Sequence, residues 1–356
     1  MRVGILTYHY ARNFGAAIQA YALRKTVQKI VGSGHIVEII NYRPVTFKNT
    51  DESLTDINYW QQKIIWDRFL EKECGIASIC VSNIADIPEY DYYIVGSDQV
   101  WNPKLPVKEE TGEYFLDFVP EEKVKIAYAV SIGEKITSNF NTILFERNIP
   151  RFDFISLREH SYVPFISRFT EKECQAVLDP SFLLEIQEYE ELMREKNVEQ
   201  PYILCVIYGM KVKRRIFDFV NRYSIKNNYG IVHMEKEITP YWFMNEEFSM
   251  RYSGIEEMLW TIKNAKLIIT DSFHFTAFSI IFRKPFYAMP GNRSSRITDL
   301  LDSLGLKERI FKDTMQLNEM NEYVDYRNVE KVLEEKKVQS IEFLKRALRD
   351  IVKEQS

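Results

Sequence analysis

The chain holds four cysteines in 356 residues (Cys74, Cys80, Cys174 and Cys205), with no CxxC pair and no zinc spacing among them. A disulfide framework and a structural zinc are excluded as organising devices, and free thiols in a reducing, cytoplasmic compartment are expected. No apolar run approaches the ~18 residues of a membrane span. The opening Met1-Arg2-Val3-Gly4-Ile5-Leu6 enters a strand at once and lacks the apolar core of a signal peptide. Neither sign of charge dominates. Lys and Arg number 47 against 51 Asp and Glu, a net charge of −4, which argues against a broad nucleic-acid footprint. GxGxxG is missing, so a dinucleotide site is not indicated. Internal repeats and low-complexity segments are missing too. What remains is an ordinary soluble composition, 46% hydrophobic and 28% charged, in a chain longer than one core usually serves. Two domains are therefore expected. The 23 Phe, 21 Tyr and 5 Trp fit large cores, or else sugar-stacking surfaces.

Taken in order, Arg2–Tyr8 predicts a strand, His9–Gly15 a polar loop, Ala16–Lys29 a helix and Val37–Asn41 a second strand. That is the βαβ opening of a doubly wound sheet. Asn13 and neighbouring amides can meet a ligand in the first loop, or the loop merely turns the chain. Ile57–Cys74 reads as a helix with Ile57, Trp60, Ile64 and Phe69 along one side. Its polar face is not dominated by Lys and Arg, so packing on the domain is expected, while peripheral membrane contact stays open. Tyr92–Val95 is a strand, followed by Gly96-Ser97-Asp98-Gln99-Val100-Trp101-Asn102-Pro103. Hydroxyl, carboxylate, amide and indole groups are dense there. They suit sugar recognition, with Trp101 free to stack, or a plain turn capped by Asp98. Val124–Ser131 and Ile155–Leu157 are further strands, and Arg158-Glu159 stands at the end of the second. An arginine there matches an anion bidentately, or pairs with Glu159. Asp179 is given a mainly structural part.

Glu185–Gln200 is charged and reads as the linker to a second α/β run. In that run Ala265–Phe286 stands out. Leu267–Thr270 predicts a buried strand, Asp271-Ser272-Phe273-His274 a polar break, and Thr276–Phe282 a helix packed on the strand. His274 thus lies at a strand–helix junction, where open α/β sheets bind ligands and helix starts attract anions. Gly291–Ile297 is a basic loop carrying Arg293 and Arg296, and Val329–Val352 is a charged helix with one apolar stripe.

Three phrases, in order, resemble the polysaccharide pyruvyl transferase family: ILTYHYARNFGAAIQAYAL, DYYIVGSDQVWNP and ITDSFHFTAFSIIFRKPF. ISLRE around Arg158 and VLDPS around Asp179 add to them, and the resemblance runs from Met1 to about Arg309. It implies two Rossmann-like domains in a GT-B-like arrangement. An acceptor-side domain over 1–190 and a donor-side domain over 200–328 are expected, with a C-terminal helix over 329–356 packing across the body. It also implies that phosphoenolpyruvate donates a pyruvyl ketal to a sugar or lipid-linked oligosaccharide of a surface polysaccharide, with release of phosphate. His274, Arg158 and Asp98 are the implied catalytic residues. Arg158 is expected to hold the donor, so that an alanine there costs affinity and spares the fold. The implied substrate-binding residues are Asn13, Gly15, Gln19, Ser97, Gln99, Trp101, Asn102, Ser272, Arg293 and Arg296. No metal and no cofactor is called for. Phe275 stands where the family commonly has glycine, and Ser272 where some members have arginine; both bear on donor choice. The alternatives are a GT-B glycosyltransferase using a nucleotide sugar and a catalytically silent sugar-binding relative.

Overall fold

The computed structural model describes the chain apart from residues 11, 45–56, 104–111, 134–135, 138–140, 199–200, 210–212, 235–245, 251, 292–294 and 354–356. It divides into two compact units. The first comprises Met1–Asp56, Ile64–Leu184 and Glu334–Ser356; the second comprises Ile57–Lys63 and Glu185–Leu333.

Unit 1 is built on a six-stranded, wholly parallel sheet: β1 (Arg2–Leu6), β2 (Ile36–Ile39), β3 (Tyr92–Val95), β4 (Val124–Val130), β5 (Phe154–Leu157) and β6 (Cys174–Ala176). Their spatial order is β2-β1-β3-β4-β5-β6. β3 is buried along its whole length, as parallel strands covered on both faces must be, which is why it reads as an unbroken apolar run. Strand order reverses between β1 and β3, so the crevice at their carboxyl ends is the natural ligand position. The helices are α1 (Phe14–Val31), the part of α2 (Ile57–Lys72) from Ile64 onward, α3 (Ile143–Asn148) and α4 (Val163–Ile166). α1 starts where the Asn13 side chain accepts a hydrogen bond from Ala16 N, and it ends at Gly32. The stripe read on α2 coincides with its packing face at Phe69 but not at Trp60 and Ile64. Trp66, Phe69 and Leu70 are buried while Trp60 and Ile64 are exposed, because the aromatic partners Phe14 and Tyr21 meet Trp66 and Phe69.

Unit 2 holds α5 (Ile186–Glu190), α6 (Lys213–Asn227), α7 (Ile255–Asn264), α8 (Phe273–Ile281) and α9 (Arg296–Ser303). Its strands are β7 (Tyr202–Val206), β8 (Gly230–His233), β9 (Glu246–Ser249), β10 (Leu267–Thr270) and β11 (Phe286–Ala288). They form one parallel sheet in the order β11-β10-β7-β8-β9, which reverses between β7 and β10. The stretch read as a charged linker contributes α5, whose Tyr189 packs edge-on against Phe278 of α8. α10 (Tyr326–Ala347) and the short α11 (Arg349–Lys353) close the chain. The single helix read there breaks at Leu348, which is fully buried. No helix among the described residues is long and apolar enough to cross a membrane.

Candidate functional site

In unit 1 the chemistry collects where β1, β3, β4 and β5 end. β3 runs into Gly96, whose φ of 113° and whose distance of 2.2 Å from an ideal Cβ to the Tyr128 carbonyl leave room for no other residue. Ser97 follows, fully buried. Its N–H donates to Gln19 Oε1 at 3.1 Å, and its carbonyl accepts from Thr7 Oγ1 at 3.1 Å. Gln19 Nε2 in turn donates to Thr7 Oγ1 and to Ala16 O, both at 2.9 Å. Gln19 and Ser97, expected to touch substrate, thus lace the ends of β1 and β3 together from inside. Gly15 is buried in the first turn of α1, and Asn13 is exposed as its cap.

Asp98 comes next with φ 71° and a side chain 13% exposed. A non-glycine residue held in the left-handed region is uncommon and concentrates at working sites. Arg158 reaches it from the end of β5, Nη2 lying 3.5 Å from Asp98 Oδ1. The same guanidinium, 2% exposed, donates from Nη1 to Asp179 Oδ2 at 3.0 Å and lies 3.7 Å from Glu159. Burial works against its charge, but Asp179, Glu159 and Asp98 together hold the guanidinium above its ordinary value. Asp179 is a hub: it also accepts from Ser97 Oγ and from the backbone and hydroxyl of Ser181. One cation therefore faces three carboxylates.

Three other residues lie differently from the sequence reading. The Trp101 indole is 2% exposed, stacked on Phe115 at 5.2 Å, with Nε1 donating to Tyr114 O. As placed it presents no face to a sugar, because Phe115, Phe145 and Phe152 enclose it. Gln99 and Asn102 bond to each other at 2.9 Å beneath Gly133, where a Cβ would meet Gln99 Oε1 at 2.1 Å.

His9, at the same edge, is fully buried; its Nδ1 donates to Thr7 O at 3.0 Å, and Asn41 Oδ1 is 3.4 Å from Nε2. Burial lowers its imidazole from 6.5 to about 4. A group whose folded value is depressed stabilises above its unfolded value and loses that contribution as pH falls. Wild-type protein should therefore lose ~2–3 kcal/mol between pH 6.5 and 4 through this residue. Urea unfolding at pH 7 and pH 4.5 should show the loss, and His9→Gln should shrink it.

In unit 2 the corresponding edge lies between β7 and β10. Asp271 accepts from the backbone N–H groups of Tyr208 and Gly209 at 2.8 and 2.7 Å, tying the loop after β7 to the end of β10. Ser272 is extended (φ −90°, ψ 132°) and precedes α8 with no side-chain cap; its carbonyl accepts from Thr276 N and Oγ1. The helix begins at Phe273, earlier than read, so His274 occupies its first turn, 8% exposed. Phe275 is 1% exposed and points into the core, so its ring occupies interior volume rather than the edge. Arg296 opens α9, which packs on α8. Arg293 lies outside the described residues. The sequence reading missed Asp271 as a tie because both of its partners lie more than sixty positions away.

A family profile described as polysaccharide pyruvyl transferase matches residues 13–292. The chain belongs to the polysaccharide pyruvyl transferase family. Asp98, Arg158, Asp179, Asp271 and His274 fall within the span that the profile covers, and the pyruvyl transferase family is a family of enzymes. No curated protein matches the chain significantly by sequence. Among solved structures, the UDP-GlcNAc 2-epimerase of Neisseria meningitidis, bound to UDP-GlcNAc, matches with a TM-score of 0.53 at 9% identity, over 96% of this chain and 94% of that one. The UDP-GlcNAc 2-epimerase of Methanocaldococcus jannaschii matches with a TM-score of 0.50 at 12% identity, over 96% and 92%. At such identities the likeness is one of fold: α/β with two parallel sheets, as in the GT-B-like epimerases.

Proposed function

We propose that the protein transfers the pyruvyl unit of phosphoenolpyruvate to a sugar of a surface polysaccharide or its precursor, as a cyclic ketal, with release of phosphate. The observation that carries this reading is His274 in the first turn of α8, at the strand-order reversal of a sheet in a chain of this family. A helix start favours a phosphate, and imidazole is the usual group for proton transfer near neutral pH. His274 protonates the methylene carbon of the donor, which becomes the ketal methyl. A sugar hydroxyl bonds to the central carbon and gives up its proton. A second hydroxyl closes the ring as the bond to phosphate breaks and its proton leaves with the phosphate.

Arg296 and Arg293 supply cationic charge to the donor. Asp98 orients or deprotonates the attacking hydroxyl, and Arg158, paired with Asp98 and Asp179, holds that carboxylate in position. On this reading Arg158 acts on the acceptor's side, through Asp98, rather than as the donor contact expected from sequence. The acceptor is proposed to be a sugar or a lipid-linked oligosaccharide met in the cytoplasm.

Phosphate release from phosphoenolpyruvate should depend on added glycan acceptor, and phosphoenolpyruvate should raise the melting temperature. Stabilisation by UDP or GDP, with none by phosphoenolpyruvate, would replace the reading with a nucleotide-sugar transferase.

A further inference from the structure

The burial of Trp101 leaves unit 1 without the stacking surface that its sequence promised, yet the same indole organises another. By donating to Tyr114 O it fixes the short turn Glu113–Phe115. That turn brings Glu113 to Tyr42, three residues beyond β2, whose hydroxyl donates to Glu113 Oε1 at 3.2 Å. The other carboxylate oxygen, Oε2, is buried, and no donor among the described residues reaches it. A buried carboxylate oxygen normally has a donor, because desolvating it without one is costly. Around it stand two aromatic rings that follow β1 directly. Tyr8 and Tyr10 are partly exposed, edge to face at 6.4 Å, and Tyr8 packs against Tyr114 at 4.8 Å.

We propose that Glu113, with Tyr8, Tyr10 and Tyr42, forms a subsite that binds the hydroxyls and the apolar face of a neutral hexopyranose. The assignment rests on the transferase reading for its ligand class and deepens the acceptor side of it. The chemistry of the cluster selects the class. Tyr8 is within electrostatic reach of two carboxylates, Asp98 and Glu113, so a phosphate or carboxylate ligand is repelled here. A sugar hydroxyl supplies the donor that Glu113 Oε2 lacks, and the C–H face of a pyranose suits a tyrosine ring. Burial pushes the hydroxyls of Tyr8, Tyr10 and Tyr42 up from the ordinary tyrosine value, which keeps them neutral and able to donate. The position also fits, since residues following β1 lie at the strand-order reversal of this sheet.

The test uses the full-length protein, a panel of methyl hexopyranosides followed by saturation-transfer NMR and titration, and phosphoenolpyruvate titrated separately. Glu113→Gln removes the acceptor oxygen and its charge. Tyr10→Leu alters a partly exposed ring with little risk to the fold, and it carries the test alone should Glu113→Gln fail to fold. At least one hexopyranoside should bind wild-type protein. Each variant should weaken it ~10-fold or more, as expected for a lost bond to a charged group or a lost stacking face, and leave phosphoenolpyruvate affinity unchanged. Equal sugar affinity in wild type and both variants, or no hexopyranoside binding to wild type, overturns the subsite even if phosphoenolpyruvate binds. Sugar binding that depends on Glu113, in a protein that ignores phosphoenolpyruvate, keeps the subsite and removes the transferase reading.

Discussion

His274→Ala should lower turnover by ~10²–10⁴-fold while changing phosphoenolpyruvate affinity far less, the effect of removing a general acid. The expectation comes from the placement of His274 in the first turn of α8, next to an extended Ser272 that offers the helix no side-chain cap. At 8% exposure the side chain is held largely within the packing of the helix start, which fixes its direction. Two other roles give different results. If His274 only neutralises donor phosphate, affinity should fall with turnover, and His274→Lys should restore part of both. If it is a packing residue, the melting temperature should fall and activity should track unfolding. The pH–rate profile separates the acid from the others, because its alkaline limb should vanish in His274→Ala. A variant with the wild-type rate and profile removes His274 from the mechanism.

The strands were legible because parallel strands buried on both faces are short apolar, β-branched runs; Tyr92–Val95 and Leu267–Thr270 coincide with β3 and β10. The two edges were legible as well, since polar clusters directly after such runs lie at the carboxyl ends of strands. What each side chain does there was not. Asp98, Arg158 and Asp179 converge through the pairing of β4, β5 and β6, so an arginine that looks available in one dimension is surrounded in three. Trp101 has polar neighbours in sequence, but its packing partners Phe115, Phe145 and Phe152 are contributed by distant segments. The start of α8 was read too late because Asp271-Ser272-Phe273-His274 resembles a loop. An extended Ser272 lets the helix begin at Phe273. Tyr8 and Tyr10 sit inside a family phrase that singled out neither of them, Glu113 carried no motif, and only the fold brings them together.

Arg158→Ala should destabilise unit 1 by ~3–5 kcal/mol, the usual result of removing one partner from a buried ionic network. The sequence alone led to the opposite expectation, that the fold would be spared. The reason for the reversal is charge. A guanidinium 2% exposed faces Asp179, Asp98 and Glu159 together, and an alanine removes its charge from among carboxylates held largely away from water. Arg158→Lys should recover only part of the loss, because a point charge cannot serve Asp179 and Asp98 through a planar fork. A double-mutant cycle isolates the interaction: in an Asp179→Asn background the cost of Arg158→Ala should be smaller, since one of the charges it balances is gone. Denaturant unfolding of the four proteins provides the measurement. Activity provides the second readout, for if Arg158 serves Asp98 rather than the donor, Arg158→Lys should lose turnover with phosphoenolpyruvate affinity nearly unchanged. Wild-type stability in Arg158→Ala would mean that the three carboxylates do not need its charge. A donor affinity that collapses in Arg158→Lys while stability holds would return the arginine to the donor.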